Sequence, residues 1–161
     1  MIPPITNGYF TWRELNFPDH GPLSTPEGDG DGDSLSNLLE YSLASLTLTG
    51  SRGDGSAALP QAVIVASEPL LSDRIALQIS MPEPAAADLS YIVEASSSLT
   101  GSWTPLATKI GQGDWSWNPG GTSRIVQASA VNGRILVKIG DSVPRTSQPT
   151  RFLRLRTQLN P

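Results

Sequence analysis

"RIVQASAVNGRILVKIG", Arg124–Gly140, decides the architecture of this chain. Both arms are rich in Val and Ile and carry an apolar residue at every second position, as half-buried strands do. Asn132-Gly133 stands between them, and this pair accepts the positive φ angles that a two-residue hairpin needs. The stretch therefore predicts two antiparallel strands joined by a tight turn. Outward from it, the same period of two recurs in "AVIVAS" (62–67), "RIALQIS" (74–80), "YIVEASS" (91–97) and "RFLRLRTQL" (151–159). "WTPLATKI" (103–110) and "DWSWN" (114–118) are weaker strand candidates. Clusters of Gly, Pro, Asn and Ser separate these runs, as turns do. The expectation is a mainly β fold, an antiparallel β-sandwich of about six to eight strands. In one strand, Tyr91, Val93 and Ala95 are expected on one face, with Ile92, Glu94 and Ser96 on the other.

Composition agrees with a turn-rich domain. The 161 residues include 15 Gly and 14 Pro, and only 16% are charged. The net charge of −4 argues against nucleic acid, which attracts basic stripes. No apolar run is long enough to span a membrane, so no membrane insertion is expected. Cysteine is absent, which excludes disulfides, zinc–thiolate sites and cysteine nucleophiles. "MIPPITNGYF" (1–10) lacks the basic region and apolar core of a signal peptide. The chain is therefore expected to be a mature fragment, a piece of a longer protein, or a subunit exported by another route.

Three regions follow along the chain. Residues 1–26 read as an irregular N-terminal arm that docks through Phe10, Trp12 and Phe17, because Pro3, Pro4 and Gly8, then Pro18, Pro22 and Pro26, oppose regular structure. Residues 27–46 read as an acidic loop and one short helix, "SLSNLLEYSLASL" (34–46), with Leu35, Leu38, Leu39, Leu43 and Leu46 on one stripe. Residues 47–161 form the sandwich, and 27–161 are expected to fold as one unit.

The loop carries the chemistry. "EGDGDGDSLSNLLEY", Glu27–Tyr41, concentrates five of the fifteen acidic residues. Like charges this close repel, and the interleaved glycines raise the entropy cost of ordering. A cation offsets both. With Asp29 as the first place, Asp31 is third, Asp33 fifth, Leu35 seventh, Asn37 ninth and Glu40 twelfth. That is the EF-hand ligand order: three side-chain oxygens, a backbone carbonyl, a side chain or water, and a bidentate glutamate. Ca²⁺ is the expected ion, since magnesium fits so many carboxylates poorly. Ser34 departs from the scheme, because the sixth place is usually Gly. Pro22 and Pro26 bar a helix directly before the loop, which makes it a loop–helix half-site. Its expected role is structural.

"GDGDSLSNLLEYSLAS" (30–45) resembles "DPDGDGLSNLLEYALG", a motif in C-terminal modules of large secreted bacterial proteins. The loop itself is similar to those of dockerins and thrombospondin type 3 repeats. Those modules also carry a W…F pair, matched by Trp12 and Phe17, and "Y-x-VE-x-S-x-DL-x-x-W", matched by Tyr91, Val93, Glu94, Ser96, Leu99 and Trp103. A closing "fxRL" strand is matched by Phe152, Arg154 and Leu155. Ser34 and Ser98 depart from the pattern, the latter standing where the modules have Asp. The resemblance implies a β-sandwich and an extracellular or cell-surface location, and it implies no reaction.

The remaining signals point away from an enzyme. His20 is the only histidine and no G-x-S-x-G motif accompanies it, so a hydrolase triad has no support. "RGD" (52–54) is short enough to arise by chance in a glycine-rich loop. Trp115 and Trp117 share one face of a strand, where they serve the core, an intermolecular contact, or stacking on a sugar. The expected function is a structural module that self-assembles into a homo-oligomer or polymer, a surface filament or coat. Phe10 and Trp12 are candidate interface residues. The alternative is a carbohydrate-binding or adhesion module that holds glycans through Trp115 and Trp117.

Overall fold

The computed structural model describes residues 8–30, 32, 34–43, 59–64, 73–118, 124–148 and 150–161. They form two four-stranded antiparallel sheets, as the strand periodicity predicts. The strands are β1 (Gln61–Ile64), β2 (Ile75–Pro82), β3 (Leu89–Ser96), β4 (Thr104–Ile110), β5 (Trp115–Trp117), β6 (Ile125–Gln127), β7 (Arg134–Gly140) and β8 (Phe152–Leu159). One sheet runs β1-β2-β7-β6 and the other β5-β4-β3-β8. The Asn132-Gly133 turn is present, with φ of 51° and 72°, and joins the bridged pair Val131 and Arg134. The two weaker candidates are both strands, β4 and β5. The "RIVQASAV" arm is regular only over Ile125–Gln127, while residues 65–67 of "AVIVAS" lie outside the described residues.

The core lies between the sheets. Leu77, Ile79 and Met81 of β2 and Val137 and Ile139 of β7 meet Tyr91, Val93 and Ala95 of β3 and Leu106 of β4, all buried. The expected facing of β3 holds, though its outer face is covered too. Glu94 is 5% exposed beneath Arg154, at 2.8 Å, and Arg156, at 3.4 Å. Arg154 also lies 4.1 Å above the Trp103 ring, a cation–π contact. Just before β8, Arg151 pairs with both carboxylate oxygens of the fully buried Asp141, at 2.6 and 2.9 Å. Among the described residues no helix is long and apolar enough to cross a membrane.

The N-terminal region differs from expectation. Two helices are described, and the first, α1 (Tyr9–Asn16), falls where an irregular arm was expected. The prolines flank this segment without entering it. Gly8 opens the helix in an extended conformation, with its carbonyl accepting from the Trp12 amide at 3.0 Å. Trp12 and Phe17 dock as expected, but Phe10 is 60% exposed and Tyr9 takes the deepest position. Pro22–Ser24 form a 3₁₀ turn, with proline at the start, where its missing N–H costs nothing. The second helix, α2 (Asn37–Leu43), begins later than residue 34, because Ser34 has a φ of 75° that no helix accepts. Residues 44–46 lie outside the described residues.

Tyr9, Trp12, Phe17, Leu38, Tyr41 and Leu43 belong to the same core as the sheets, so α1 and Phe17 pack on the sandwich. Asp88, between β2 and β3, ties both helices down. One carboxylate oxygen accepts from the Tyr9 amide at 2.7 Å and the other from the Tyr41 hydroxyl at 2.9 Å. The first contact also places negative charge at the N-terminus of α1, where the helix dipole favours it. Asp88→Ala is expected to cost about 2 kcal/mol, since hydrogen bonds to a charged group are the stronger kind. Urea unfolding followed by the fluorescence of the four tryptophans checks this.

Candidate metal centre

The loop between the 3₁₀ turn and α2 is built on close backbone packing. A side chain at Gly28 would meet the Leu23 carbonyl at 2.3 Å, and one at Gly30 would meet the Phe17 ring at 2.1 Å. Glycine is required at both places because other parts of the fold press against the backbone. Asn37, fully buried at the start of α2, braces this arrangement. Its amide nitrogen donates to the Leu23 and Thr25 carbonyls at 2.7 and 2.8 Å, and its oxygen accepts from the Gly30 amide at 3.2 Å. The Asn37 and Leu38 amides donate to the Gly28 and Pro26 carbonyls at 2.7 and 3.0 Å. Asn37 thus holds the loop shut, whatever it adds at the ninth place.

Asp29 sits half-buried at the first place and wraps the chain around itself. Its Oδ1 accepts from the Gly32 amide at 2.7 Å and its Oδ2 from the Ser34 amide at 2.9 Å. Gly32 and Ser34 both have positive φ, 83° and 75°. The sixth place therefore makes the left-handed turn for which glycine is usual, with serine bearing the strain. Glu40, at the twelfth place, lies in the first turn of α2 and is 1% exposed. Leu35 is half-buried at the seventh. Asp31 and Asp33 lie outside the described residues, and among the described residues no three acidic or histidine side chains gather into a metal-holding group.

The donors at these places suit calcium in kind: carboxylate and carbonyl oxygens, with no sulfur or nitrogen. Burying a carboxylate such as Glu40 is costly without a compensating positive charge. Nearby, burial pushes the Tyr9 hydroxyl up to about 12, with Glu27 and Glu40 adding to the rise and Arg13 opposing it. Burial, and then the Asp88 carboxylate, raises Tyr41 as well. Both phenols are neutral near pH 7.

Ser34→Gly is expected to stabilise the loop. Left-handed backbone costs a non-glycine residue about 1–2 kcal/mol, part of which glycine's greater freedom in the unfolded chain takes back. The variant should melt slightly higher and bind calcium more tightly than wild type, as read by calorimetric titration.

The other candidate residues fall elsewhere. Trp115 is 8% exposed, 6.4 Å from the Tyr91 ring, and Trp117 packs against the core from the same face. That face is turned inward, so Trp115 offers no open ring to a sugar, while Trp117 is half-buried. Trp12 is buried in an aromatic group with Tyr9, Phe17 and Tyr41, at centroid distances of 5.7 and 5.8 Å, and is no exposed interface residue. Phe10 remains exposed. His20 pairs with Glu14 at the surface. "RGD" lies outside the described residues. The sequence reading missed Asp88 because a single aspartate in "AAADL" carries no spacing signal; only the fold brings α1 and α2 to it. No protein-family model matches the chain, and no curated protein matches it.

Proposed function

We propose that this chain is a calcium-stabilised, non-catalytic structural module of the extracellular surface, which assembles with copies of itself into a filament or coat. The observation that carries the calcium reading is the turn around Asp29, whose two oxygens draw in the amides of the fourth and sixth places while Ser34 takes the left-handed turn. Asp29, Asp31, Asp33, the Leu35 carbonyl and Glu40 would hold the ion, and Asn37 would brace the loop around it. The ion's role is to neutralise clustered carboxylates and to fix the loop against Phe17 and α2. A strained sixth place suits the weak affinity of extracellular modules, about 10⁻⁴–10⁻³ M. Assembly is supported by apolar side chains exposed on and after α1, namely Phe10, Leu15 and Leu23.

Calorimetric titration of metal-stripped protein with calcium, followed by electron microscopy of the loaded protein, tests both halves. Binding at one site and ordered polymers are expected. Absence of binding overturns the calcium reading, and a monodisperse monomer at high concentration overturns the assembly reading.

A further inference from the structure

Among the described residues the sandwich has four edge strands, and they are unequal. β1 has 4 residues, and β5 and β6 have 3 each, whereas β8 has 8. The Asn160 amide donates to the Asp88 carbonyl at 2.8 Å. In the β3–β8 register this makes the even-numbered residues of β8 the ones bonded to β3. Leu153, Leu155, Thr157 and Leu159 therefore turn their N–H and C=O groups outward, and no hydrogen bond covers these groups among the described residues. Such an edge pairs readily with another strand. Guards within the strand itself are missing here. β8 holds no proline or lysine, and its Arg154 and Arg156 fold back over the outer face onto Glu94 and Trp103. A groove of about 330 Å³ runs beside the edge, between Leu38 and Leu39 of α2 and Leu155–Thr157.

We propose that β8 is a homotypic interface, pairing antiparallel with β8 of a second copy about a two-fold axis, with Thr157 opposite Thr157. Length favours β8 itself as the partner, since the other described edges have 3 or 4 residues, whereas this pairing runs over Leu155–Leu159 of both copies. Charge identifies the register. With Thr157 on the axis, Arg156 faces Gln158 of the second copy and Arg154 faces Asn160. Moving the axis one or two residues toward Phe152 sets Arg156 against Arg156 or against Arg154, and like charges directly opposite destabilise a sheet; moving it toward Leu159 shortens the paired stretch. The same register puts Leu159 of the second copy opposite Leu155, beside Leu38 and Leu39. The two four-stranded sheets then join into one, and the contact is isologous. This inference rests on the assembly reading and names one of its surfaces, since a two-fold contact alone closes as a dimer; it does not depend on calcium.

The test uses the full chain in three forms. In Thr157→Pro the ring replaces an outward N–H that makes no bond within the fold, so the ladder to β3 keeps all its bonds. Sedimentation should show the wild type as dimers or larger, and the proline variant as smaller species that no longer pair through β8. The chain has no cysteine, so single cysteines report register directly. Thr157→Cys should form a disulfide-linked dimer under air oxidation, because bonded antiparallel pairs have Cα atoms about 5.5 Å apart. Leu155→Cys should not, since its counterpart is several residues away. If wild type assembles and neither the proline nor the cysteine at 157 behaves so, β8 is not the interface while the assembly reading stands. If wild type stays monomeric at high concentration, both fall. The cysteine result decides the matter if the proline variant fails to fold.

Discussion

Val93→Asp is expected to abolish the cooperative melting transition. Val93 is fully buried at the centre of β3, which has a strand on each side. An aspartate there has two options. It can stay ionised, at a cost of several kcal/mol for an unpaired buried charge, or take up a proton and leave a polar group without partners, at about 1–3 kcal/mol, with poorer packing added. Set against the roughly 5–15 kcal/mol that holds a typical domain together, the first route alone consumes most of the stability. Ile92→Asp is the control. Ile92 is half-exposed and lies opposite Arg156, so an aspartate there meets solvent and a cation and should fold. Circular dichroism and differential scanning calorimetry of the two variants check the difference. Interchanged outcomes would mean that β3 is shifted by one residue, since such a slip exchanges its faces.

Removing calcium is expected to lower the melting temperature. An ion that binds only the folded chain stabilises it by about 2.7 kcal/mol at 100-fold excess over its dissociation constant. For a chain of this size that corresponds to about 5–10 °C. Scanning calorimetry of a sample first shown to be calcium-loaded, with and without EGTA, measures this. Glu40→Gln should lose the calcium-dependent rise, because it removes the negative charge and the bidentate ligand of the twelfth place. A wild-type melting temperature indifferent to EGTA would exclude the ion from any part in stability.

The sheets were legible because their information is local. Period-two runs of Val and Ile state which face of a strand is buried, and Asn132-Gly133 states a turn that other residues make only under strain. The α1 segment was misread for a physical reason: eight residues without proline between flanking prolines form a helix only when tertiary contacts complete it. Tyr9 and Trp12 supply those contacts against Tyr41, and Asp88 supplies the end charge, none of which is near in sequence. For the loop, spacing marked Ser34 as the place where the chain turns, and the structure gives it the left-handed conformation and closes the turn on Asp29. What spacing could not show is how Asn37 is used. The same residue type serves as ligand or brace, and only the positions of Leu23, Thr25 and Gly30 distinguish the two.

The Asp88 contact has a mechanical consequence. A pull on the chain at Gly8 reaches Tyr9 first, and the Tyr9 amide is bonded to Asp88, one residue before β3 begins. Load entering from the N-terminal side therefore passes into the middle of a four-stranded sheet without travelling along the acidic loop. Sheet and helix would share tension at that one carboxylate, and the loop would be shielded until it gave way. Resistance of the fold to such a pull would then be set first by the grip of Asp88.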